Sequence, residues 1–159
     1  LKERNLIDPI YNFIKTGKIV VGICLGMQLF LNKSEESSEE NGLGLIEGEC
    51  LHFSKFFQNT DTKVPQIQWN TIYSENKINF NKTSPFSSIQ QNEFMFFVHS
   101  FFVKIKNKND ILSLSNYGDI EYCSAIQKDN IIGMQFHPEK SGPKGIEIYE
   151  NIKNIIIKN

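Results

Sequence analysis

The chain has 159 residues, of which 40% are hydrophobic and 13 are Phe, enough for one domain with a buried core. Seventeen Lys and Arg stand against 18 Asp and Glu, and this net charge of -1 argues against a nucleic-acid partner. No apolar run approaches the roughly 18 residues of a membrane span, and we expect a cytoplasmic protein without a membrane partner. Three cysteines at unpaired spacing argue against a disulfide framework or a zinc site: Cys24, Cys50 and Cys123.

The first third of the chain predicts a helix, a strand and a second helix in succession. Apolar residues recur at helical spacing between Leu6 and Ile14, and Gly17 is a stop signal. The β-branched run Lys18–Ile23 predicts a strand buried on both faces, and Leu25–Asn32 predicts a helix. The acidic segment Ser34–Asn41 is typical of a solvated loop.

The remainder of the chain predicts a β-rich middle and a closing helix. Alternating or dense apolar patterns predict strands at Glu49–Phe53, Gln66–Tyr73, Glu93–Ile105 and Ile111–Ser115. A hairpin pair follows at Ser124–Gln127 and Ile131–Phe136, and Gly142–Lys158 predicts a helix. We therefore expect a single three-layer α/β domain over residues 1–159 with a mostly parallel sheet, its site at the carboxyl ends of the strands.

The stretch GICLG places Cys24 between two glycines where the predicted strand meets the predicted helix. This layout is that of a nucleophile elbow, in which a sharp turn exposes the nucleophile and the amide of the next residue, Leu25, can donate to an oxyanion. The helix dipole and a histidine in contact would favour the thiolate. The alternative is a packed cysteine, because free cysteine is among the most buried residue types.

Downstream, MQFHPEKSG places His137 and Glu139 just past an apolar strand. A cysteine, a remote histidine and a carboxylate supply a nucleophile, a general base and an orienting anion. His99 lies inside an aromatic strand and is interpreted as a hydrogen-bonded core residue, and we also interpret His52 as structural. The three histidines are far apart in sequence, and we expect neither a metal nor an organic cofactor.

These motifs, GICLGMQ and QFHPEKSG with VPQIQWN and FFVHSFF, resemble the class I (triad-type) glutamine amidotransferases, with a flavodoxin-like domain. They are most similar to the glutaminase subunits of imidazole glycerol phosphate synthases. The resemblance implies hydrolysis of L-glutamine to glutamate and ammonia through a Cys24 thioester, with His137 and Glu139 completing the triad. It also implies substrate contacts from Gln28, Glu36, Ser100 and Phe101, although Glu35, Glu39 and Glu40 compete with Glu36.

The resemblance further implies a heterodimer with a synthase, or cyclase, subunit that accepts the ammonia in histidine biosynthesis. Trp69, Asn70 and Lys140 are the expected contacts with that subunit. The sequence departs from the histidine-pathway pattern at Gln66 and Gln68, in a segment expected to face the partner. A glutaminase serving a sugar amidotransferase in surface-polysaccharide synthesis therefore stays open as an alternative. The same elbow also allows a cysteine peptidase or γ-glutamyl hydrolase, and the missing second oxyanion donor allows a non-catalytic binding domain.

Members of the family carry additional sheet strands and a Gly-rich loop ahead of the helix that opens this sequence. The loop gives the second oxyanion donor, and the sequence printed here does not contain it. We expect an N-terminally truncated domain with its first strands missing and with very low glutaminase activity when tested alone, because one lost oxyanion donor costs about 10²- to 10³-fold in turnover.

Overall fold

The computed structural model describes residues 1–36, 41–58, 61–75, 80 and 84–158. Its helices are α1 (Ile7–Lys15), α2 (Leu25–Leu29) and α3 (Gly142–Lys158). Its strands are β1 (Val20–Ile23), β2 (Leu31–Ser34), β3 (Ile46–His52), β4 (Gln66–Ile72), β5 (Glu93–His99), β6 (Phe101–Ile105), β7 (Ile111–Tyr117), β8 (Ile120–Lys128) and β9 (Ile131–Met134). No helix in these ranges has the length and apolar character needed to cross a membrane.

The main sheet runs in the order β1-β9-β8-β6-β3-β2, and β7 also pairs with β8. Within the described residues, β1 with β9 and β2 with β3 are parallel, whereas the other four pairs are antiparallel. The sheet is therefore mixed, and the expectation of a mostly parallel sheet is wrong. The reason is the short connections between β7, β8 and β9, which allow only antiparallel neighbours.

Helices cover both faces of the main sheet, as the predicted three-layer α/β arrangement requires. On one face, Met27 and Phe30 of the α2 region pack in a cluster with Val20. On the other, Ile148 and Ile152 of α3 pack in a cluster with Val21. Because successive strand residues point to opposite faces, β1 contributes to both clusters.

A separate two-stranded antiparallel ribbon, formed by β4 and β5, packs its inner side against the α3 cluster. The predicted strand Glu93–Ile105 is thus two strands in two sheets. His99 pairs with Gln66 in the ribbon, and Phe101 pairs with His52 in the main sheet. The chain changes sheets at Ser100 because the residues before it pair with β4 and the residues after it pair with β3.

The helix predicted over Leu25–Asn32 ends at Leu29, and the next residues form β2 instead. Leu31 is fully buried and starts a parallel pairing with Ile46 of β3, so sheet formation outweighs continuation of the helix. Residues 37–40 of the predicted acidic loop lie outside the described residues. The hairpin of β8 and β9 and the helix Gly142–Lys158 are confirmed.

The two glycines that flank Cys24 have different roles. A methyl group added at Gly22 would lie 2.6 Å from both the backbone carbon of Gly26 and a ring carbon of Phe30. A methyl group at Gly26 would meet nothing within 4 Å. Gly22 is therefore required for the close approach of α2 to β1, whereas Gly26 leaves space open beside the turn.

We predict that Gly22→Ala lowers the free energy of unfolding by about 1–3 kcal/mol, because the added methyl overpacks a site closed by backbone. Gly26→Ala is the matched control and should change it by less than about 1 kcal/mol, in the stabilising direction. Urea denaturation of both variants measures the difference. Equal destabilisation by the two substitutions would contradict this account of the turn.

Candidate active site

The pairing of β1 with β9 brings the two ends of the predicted catalytic set to one edge. In this parallel pair Ile23 lies opposite Met134, and the amide of Cys24 donates to the carbonyl of Met134 at 2.7 Å. Cys24 and His137 therefore leave adjacent parallel strands at their carboxyl ends, where catalytic groups of such sheets gather. The sequence separates these two residues by more than a hundred positions, and the register of the two strands closes that separation.

Cys24 occupies the sharp turn that the elbow interpretation requires. Its backbone has φ 51° and ψ −107°, a conformation that non-glycine residues rarely adopt. α2 begins at the next residue, and the Leu25 amide donates to the sulfur. The Cys24 side chain is half-buried, and its thiol donates to the carbonyl of Val98, with 3.9 Å between sulfur and oxygen. The predicted oxyanion donor thus lies directly beside the predicted nucleophile.

His137 and Glu139 form a close pair. Nδ1 of His137 lies 2.6 Å from Oε1 of Glu139 across a short 3-10 turn that begins at Pro138. The amide of His137 donates to the carbonyl of Phe96, which fixes the backbone under the ring. Because the carboxylate holds Nδ1, Nε2 is the nitrogen available for proton transfer. Within the described residues no hydrogen bond joins the Cys24 sulfur to His137.

The charges around this pair keep Glu139 ionised. Burial opposes ionisation of the carboxyl, but the hydrogen bond from His137 and the positive charge of Lys140 hold its pKa below the ordinary value. An ionised Glu139 is the form that can orient the imidazole and stabilise the imidazolium.

The expectation of a thiolate-favouring site is wrong for the resting protein. Burial raises the pKa of the Cys24 thiol, and the carboxylates of Glu36 and Glu139 raise it further. The Leu25 amide, whose effect is second only to that of burial, and the Gln135 side chain lower the pKa without cancelling the increase. A helix of five residues contributes little dipole, and the resting sulfur is a thiol at neutral pH. Its proton therefore needs an acceptor at the moment of reaction.

Gln28 is 5% exposed and lies one helical turn beyond Cys24. Its Nε2 donates to the carbonyl of Phe101 at 3.3 Å and to Oε1 of Gln135 at 3.1 Å. Both amide hydrogens are thus used inside the protein, and only Oε1 is left for a ligand. The predicted substrate contact of Gln28 is confined to that atom.

Two of the competing glutamates can be compared directly. The Glu35 carboxylate accepts from the amide of His52 at 2.8 Å and from Lys55 at 2.9 Å, which lowers its pKa. The charge of Glu36 instead raises the pKa of the Cys24 thiol, so its carboxylate lies within electrostatic range of the sulfur. Glu39 and Glu40, the other two candidates, lie outside the described residues.

Ser100 and Phe101 lie where the chain passes from the ribbon to the main sheet. They follow closely after Val98, whose carbonyl contacts the Cys24 thiol. The Phe101 carbonyl accepts from Gln28 and also lies 2.6 Å from Nδ1 of His99. The Ser100 carbonyl accepts from the amide of Phe53 at 3.1 Å. Both carbonyls are therefore occupied by the protein, so a substrate contact here falls to the amides of this bend.

His99 is a core residue, in agreement with its interpretation from the sequence. It is buried, and burial lowers its pKa to about 4, so the ring is neutral at pH 7. Its Nε2 lies 3.4 Å from the hydroxyl of Tyr122, which also donates to Oε1 of Gln66 at 3.0 Å. Gln66 is fully buried with Nε2 unpaired, so the expectation that position 66 faces a partner is wrong.

The other two cysteines, Cys50 and Cys123, are structural, as the sequence indicates. Cys50 and Cys123 are buried, and burial raises the pKa of both thiols, that of Cys50 to about 12. Among the described residues no three His, Cys, Asp or Glu side chains are grouped so as to hold a metal.

The expected partner-contact residues do not share one face. Trp69 is 50% exposed and packs edge-on against Phe96 with ring centroids 6.0 Å apart. Lys140 is exposed in the turn after His137. Asn70 points the other way, and its side chain donates to the carbonyl of Asn116 in β7 at 2.7 Å. Trp69 and Lys140 are exposed, whereas Asn70 is partly buried with its amide bound to β7.

Sequence reasoning missed Gln135, which is fully buried and donates from Nε2 to the Cys24 sulfur at 3.6 Å. The available signal was a carboxamide at the end of the apolar strand Ile131–Phe136, two residues before His137. A buried polar side chain in such a place requires partners.

A cysteine at a strand-to-helix turn, with a His–Glu pair at the end of the neighbouring parallel strand, is the arrangement of a cysteine-nucleophile enzyme on an α/β fold. The sequence model of the family described as glutamine amidotransferase class-I matches residues 2–155. The chain therefore belongs to the class I glutamine amidotransferases.

Two curated relatives of this chain carry the same name. "Imidazole glycerol phosphate synthase subunit HisH" of Wolinella succinogenes is 39% identical over 155 residues, which cover 98% of this chain and 73% of that protein. The protein of the same name from Aquifex aeolicus is 37% identical over 154 residues, covering 96% and 69% of the two chains.

Solved structures support the fold alone. The structure of PurLQS from Thermotoga maritima matches with a TM-score of 0.66 at 19% identity, covering 94% of this chain and 67% of that one. A glutamine amidotransferase crystal structure matches with a TM-score of 0.63 at 13% identity, covering 96% and 70%. The predicted fold class is confirmed, with the mixed sheet as the correction.

We predict that Glu36→Gln lowers the pKa of Cys24, because it removes a negative charge that opposes the thiolate. The rate of Cys24 alkylation by iodoacetamide near pH 7 should rise about two- to fivefold. The gain should vanish above the pKa of the parent thiol, where both proteins are thiolate. Glu35→Gln is the control and should leave the rate unchanged, since Glu35 is bound to His52 and Lys55. Equal rates for the two variants would refute this electrostatic assignment.

Proposed function

We propose that the protein is the glutaminase subunit of an imidazole glycerol phosphate synthase, acting in histidine biosynthesis. It hydrolyses L-glutamine to glutamate and ammonia and passes the ammonia to a synthase subunit. The observation that carries the proposal is the β1–β9 register, which delivers Cys24 and the His137–Glu139 pair to one edge of the sheet in a chain of this family.

In the proposed reaction Cys24 attacks the side-chain amide carbon of glutamine while Nε2 of His137 accepts the thiol proton. The Leu25 amide, which already donates to the sulfur, is placed to donate to the oxyanion that forms. The tetrahedral intermediate collapses when His137 returns the proton to the departing nitrogen, which leaves as ammonia. A γ-glutamyl thioester remains.

Water then cleaves the thioester by the same route. His137 takes a proton from the water, the hydroxyl adds to the thioester carbonyl, and the sulfur leaves and regains its proton. Glutamate is released and the enzyme is restored. Throughout, the carboxylate of Glu139 holds Nδ1–H, so the imidazole keeps the tautomer in which Nε2 exchanges protons.

Substrate binding is assigned to groups around the thiol. Glu36 is proposed to bind the α-amino group of glutamine, with its carboxylate toward Cys24. The Ser100 and Phe101 amides are proposed to bind the α-carboxylate, and Oε1 of Gln28 completes the contacts. This set recognises both charges of a free amino acid, which favours glutamine over an internal peptide residue.

We propose that the synthase subunit docks on the outer face of the β4–β5 ribbon. Ile67, Trp69 and Phe94 on this face are 60%, 50% and 55% exposed, and Trp69 lies opposite Phe96 across the ribbon. An apolar surface of this kind is typical of an interface. Ammonia in water at neutral pH is mostly ammonium, so a docked acceptor beside the site is needed to keep it nucleophilic.

The relatives' names favour the histidine pathway over the sugar-amidotransferase alternative. Of the two departures from the histidine-pathway pattern, Gln66 is buried and Gln68 is exposed. We also propose a cytoplasmic location, where the three free thiols of this chain stay reduced.

We predict that Cys24→Ala in the full-length protein with its synthase subunit abolishes glutamine hydrolysis, with a loss in kcat of at least about 10⁴-fold. Glutamate release and mass-spectrometric detection of the γ-glutamyl thioester measure the effect. Cys123→Ser replaces another free thiol and should keep activity within a fewfold. Hydrolysis that survives Cys24→Ala would remove the proposed nucleophile.

We predict that Trp69→Ala weakens binding of the synthase subunit by about 10- to 100-fold, because large exposed aromatic residues carry much of the free energy of docking. Isothermal titration calorimetry gives the Kd. Phe56→Ala removes an exposed aromatic side chain of another element and should leave the Kd unchanged. Identical Kd values for all three proteins would exclude the ribbon face as the interface.

A further inference from the structure

Two buried carboxamides lie in a line behind the Cys24 sulfur. Gln28 on α2 is 5% exposed, and Gln135, just after β9, is fully buried. Side chains of this polarity are enclosed in a protein only when their hydrogen-bonding atoms have partners. Here the hydrogen bonds run in a series from Gln28 to Gln135 and from Gln135 to the Cys24 sulfur.

The direction of the series follows from the donors and acceptors. Nε2 of Gln28 donates to the Phe101 carbonyl and to Oε1 of Gln135. A carboxamide has one oxygen and one NH₂ group, so a Gln135 side chain that accepts from Gln28 must turn its NH₂ group to the other side. That side is occupied by Sγ of Cys24, 3.6 Å from Nε2.

From this geometry we infer that Gln135 is a positioning residue for the nucleophile. Its N–H holds the Cys24 sulfur in place and stabilises the thiolate as the proton leaves, and Gln28 fixes the amide in the orientation that makes this possible. The inference rests on the proposed function of Cys24 as the nucleophile.

The charges near the sulfur explain why such a donor matters. The carboxylates of Glu36, just after β2, and of Glu139, in the turn after β9, are close enough for their charges to oppose ionisation of the thiol. Cys50 on β3 adds a further weak acid nearby, and His137 supplies the base. In the described part of the chain, the direct donors to the sulfur are the Leu25 amide and Gln135.

The Leu25 amide must also serve the oxyanion once the substrate is attacked, so it cannot stay on the sulfur. Gln135 is enclosed and has no such second task, and its hydrogen bond to the sulfur persists through the reaction. A neutral donor suits this position, since a buried cation would add a desolvation cost.

The test is Gln135→Glu in the full-length protein, which keeps the shape of the side chain and replaces the N–H by a carboxylate oxygen. The readout is the pH dependence of Cys24 alkylation by iodoacetamide, followed by mass spectrometry of the peptide that contains Cys24. We expect the pKa of Cys24 to rise and the alkylation rate near pH 7 to fall about tenfold or more. For glutamine hydrolysis, kcat should fall with KM within about twofold.

The matched control is Gln127→Glu, the same change on β8 at a site opposite Ile132, and it should leave the alkylation profile unchanged. If Gln135→Glu does not fold, Gln28→Met removes the donor that orients Gln135 while keeping the side-chain volume. It should slow alkylation near pH 7 by about threefold. A folded Gln135→Glu variant with the parent profile, or a Gln28→Met variant with the parent profile where the first does not fold, would overturn the inference.

Alkylation does not depend on glutamine turnover. If the parent protein does not hydrolyse glutamine but Gln135→Glu shifts the alkylation profile, the proposed function is contradicted and the positioning of the sulfur is supported. If the parent protein hydrolyses glutamine but Gln135→Glu leaves the profile unshifted, the proposed function is supported and the positioning is contradicted.

Discussion

The site depends on one interaction, the parallel pairing of β1 with β9 in the register that sets Ile23 against Met134. The hydrogen bond from the Cys24 amide to the Met134 carbonyl extends this pairing one residue into the turn. A slip of one residue would turn the side chains of β1 to the opposite faces and lose both hydrophobic clusters. Cys24 and His137 are therefore placed by the same packing that stabilises the domain, and Gly22 allows α2 to begin close enough to complete the turn.

The polar interior adds a second level of organisation. Buried carboxamides and one carbonyl connect α2, the end of β9 and the start of β6, and this network reaches the sulfur from the protein side. The charged groups approach from the solvent side, where Glu36 and Glu139 raise the pKa of the thiol. The raised pKa keeps the resting cysteine in the less reactive thiol form.

Much of the local structure could be predicted from the sequence. The turn at Cys24, the hairpin of β8 and β9 and the final helix each follow from short-range patterns, and the structure has all three. The approach of His137 to the Cys24 edge required the family resemblance as well. It could not follow from spacing, because strand order is a long-range property.

Three of the misses depend on contacts between residues far apart in the sequence. The helix from Leu25 ended early because Leu31 found a place in a buried strand beside Ile46. The run Glu93–Ile105 was divided at Ser100 because two sheets competed for it. Gln135 was overlooked because its importance lies in a partner 111 positions away. At Leu31 and Ser100 tertiary pairing overrode a local pattern, and at Gln135 a tertiary contact gave the residue its place beside the sulfur.

The path of β5 has a mechanical consequence. Its carbonyl at Phe96 accepts from the His137 amide, and its carbonyl at Val98 contacts the Cys24 sulfur. These two carbonyls are two residues apart on one extended strand, a spacing of about 7 Å that strand geometry holds nearly constant. His137 and Cys24 therefore contact the same extended strand at a nearly fixed spacing, so a bend in β5 would change the position of one relative to the other.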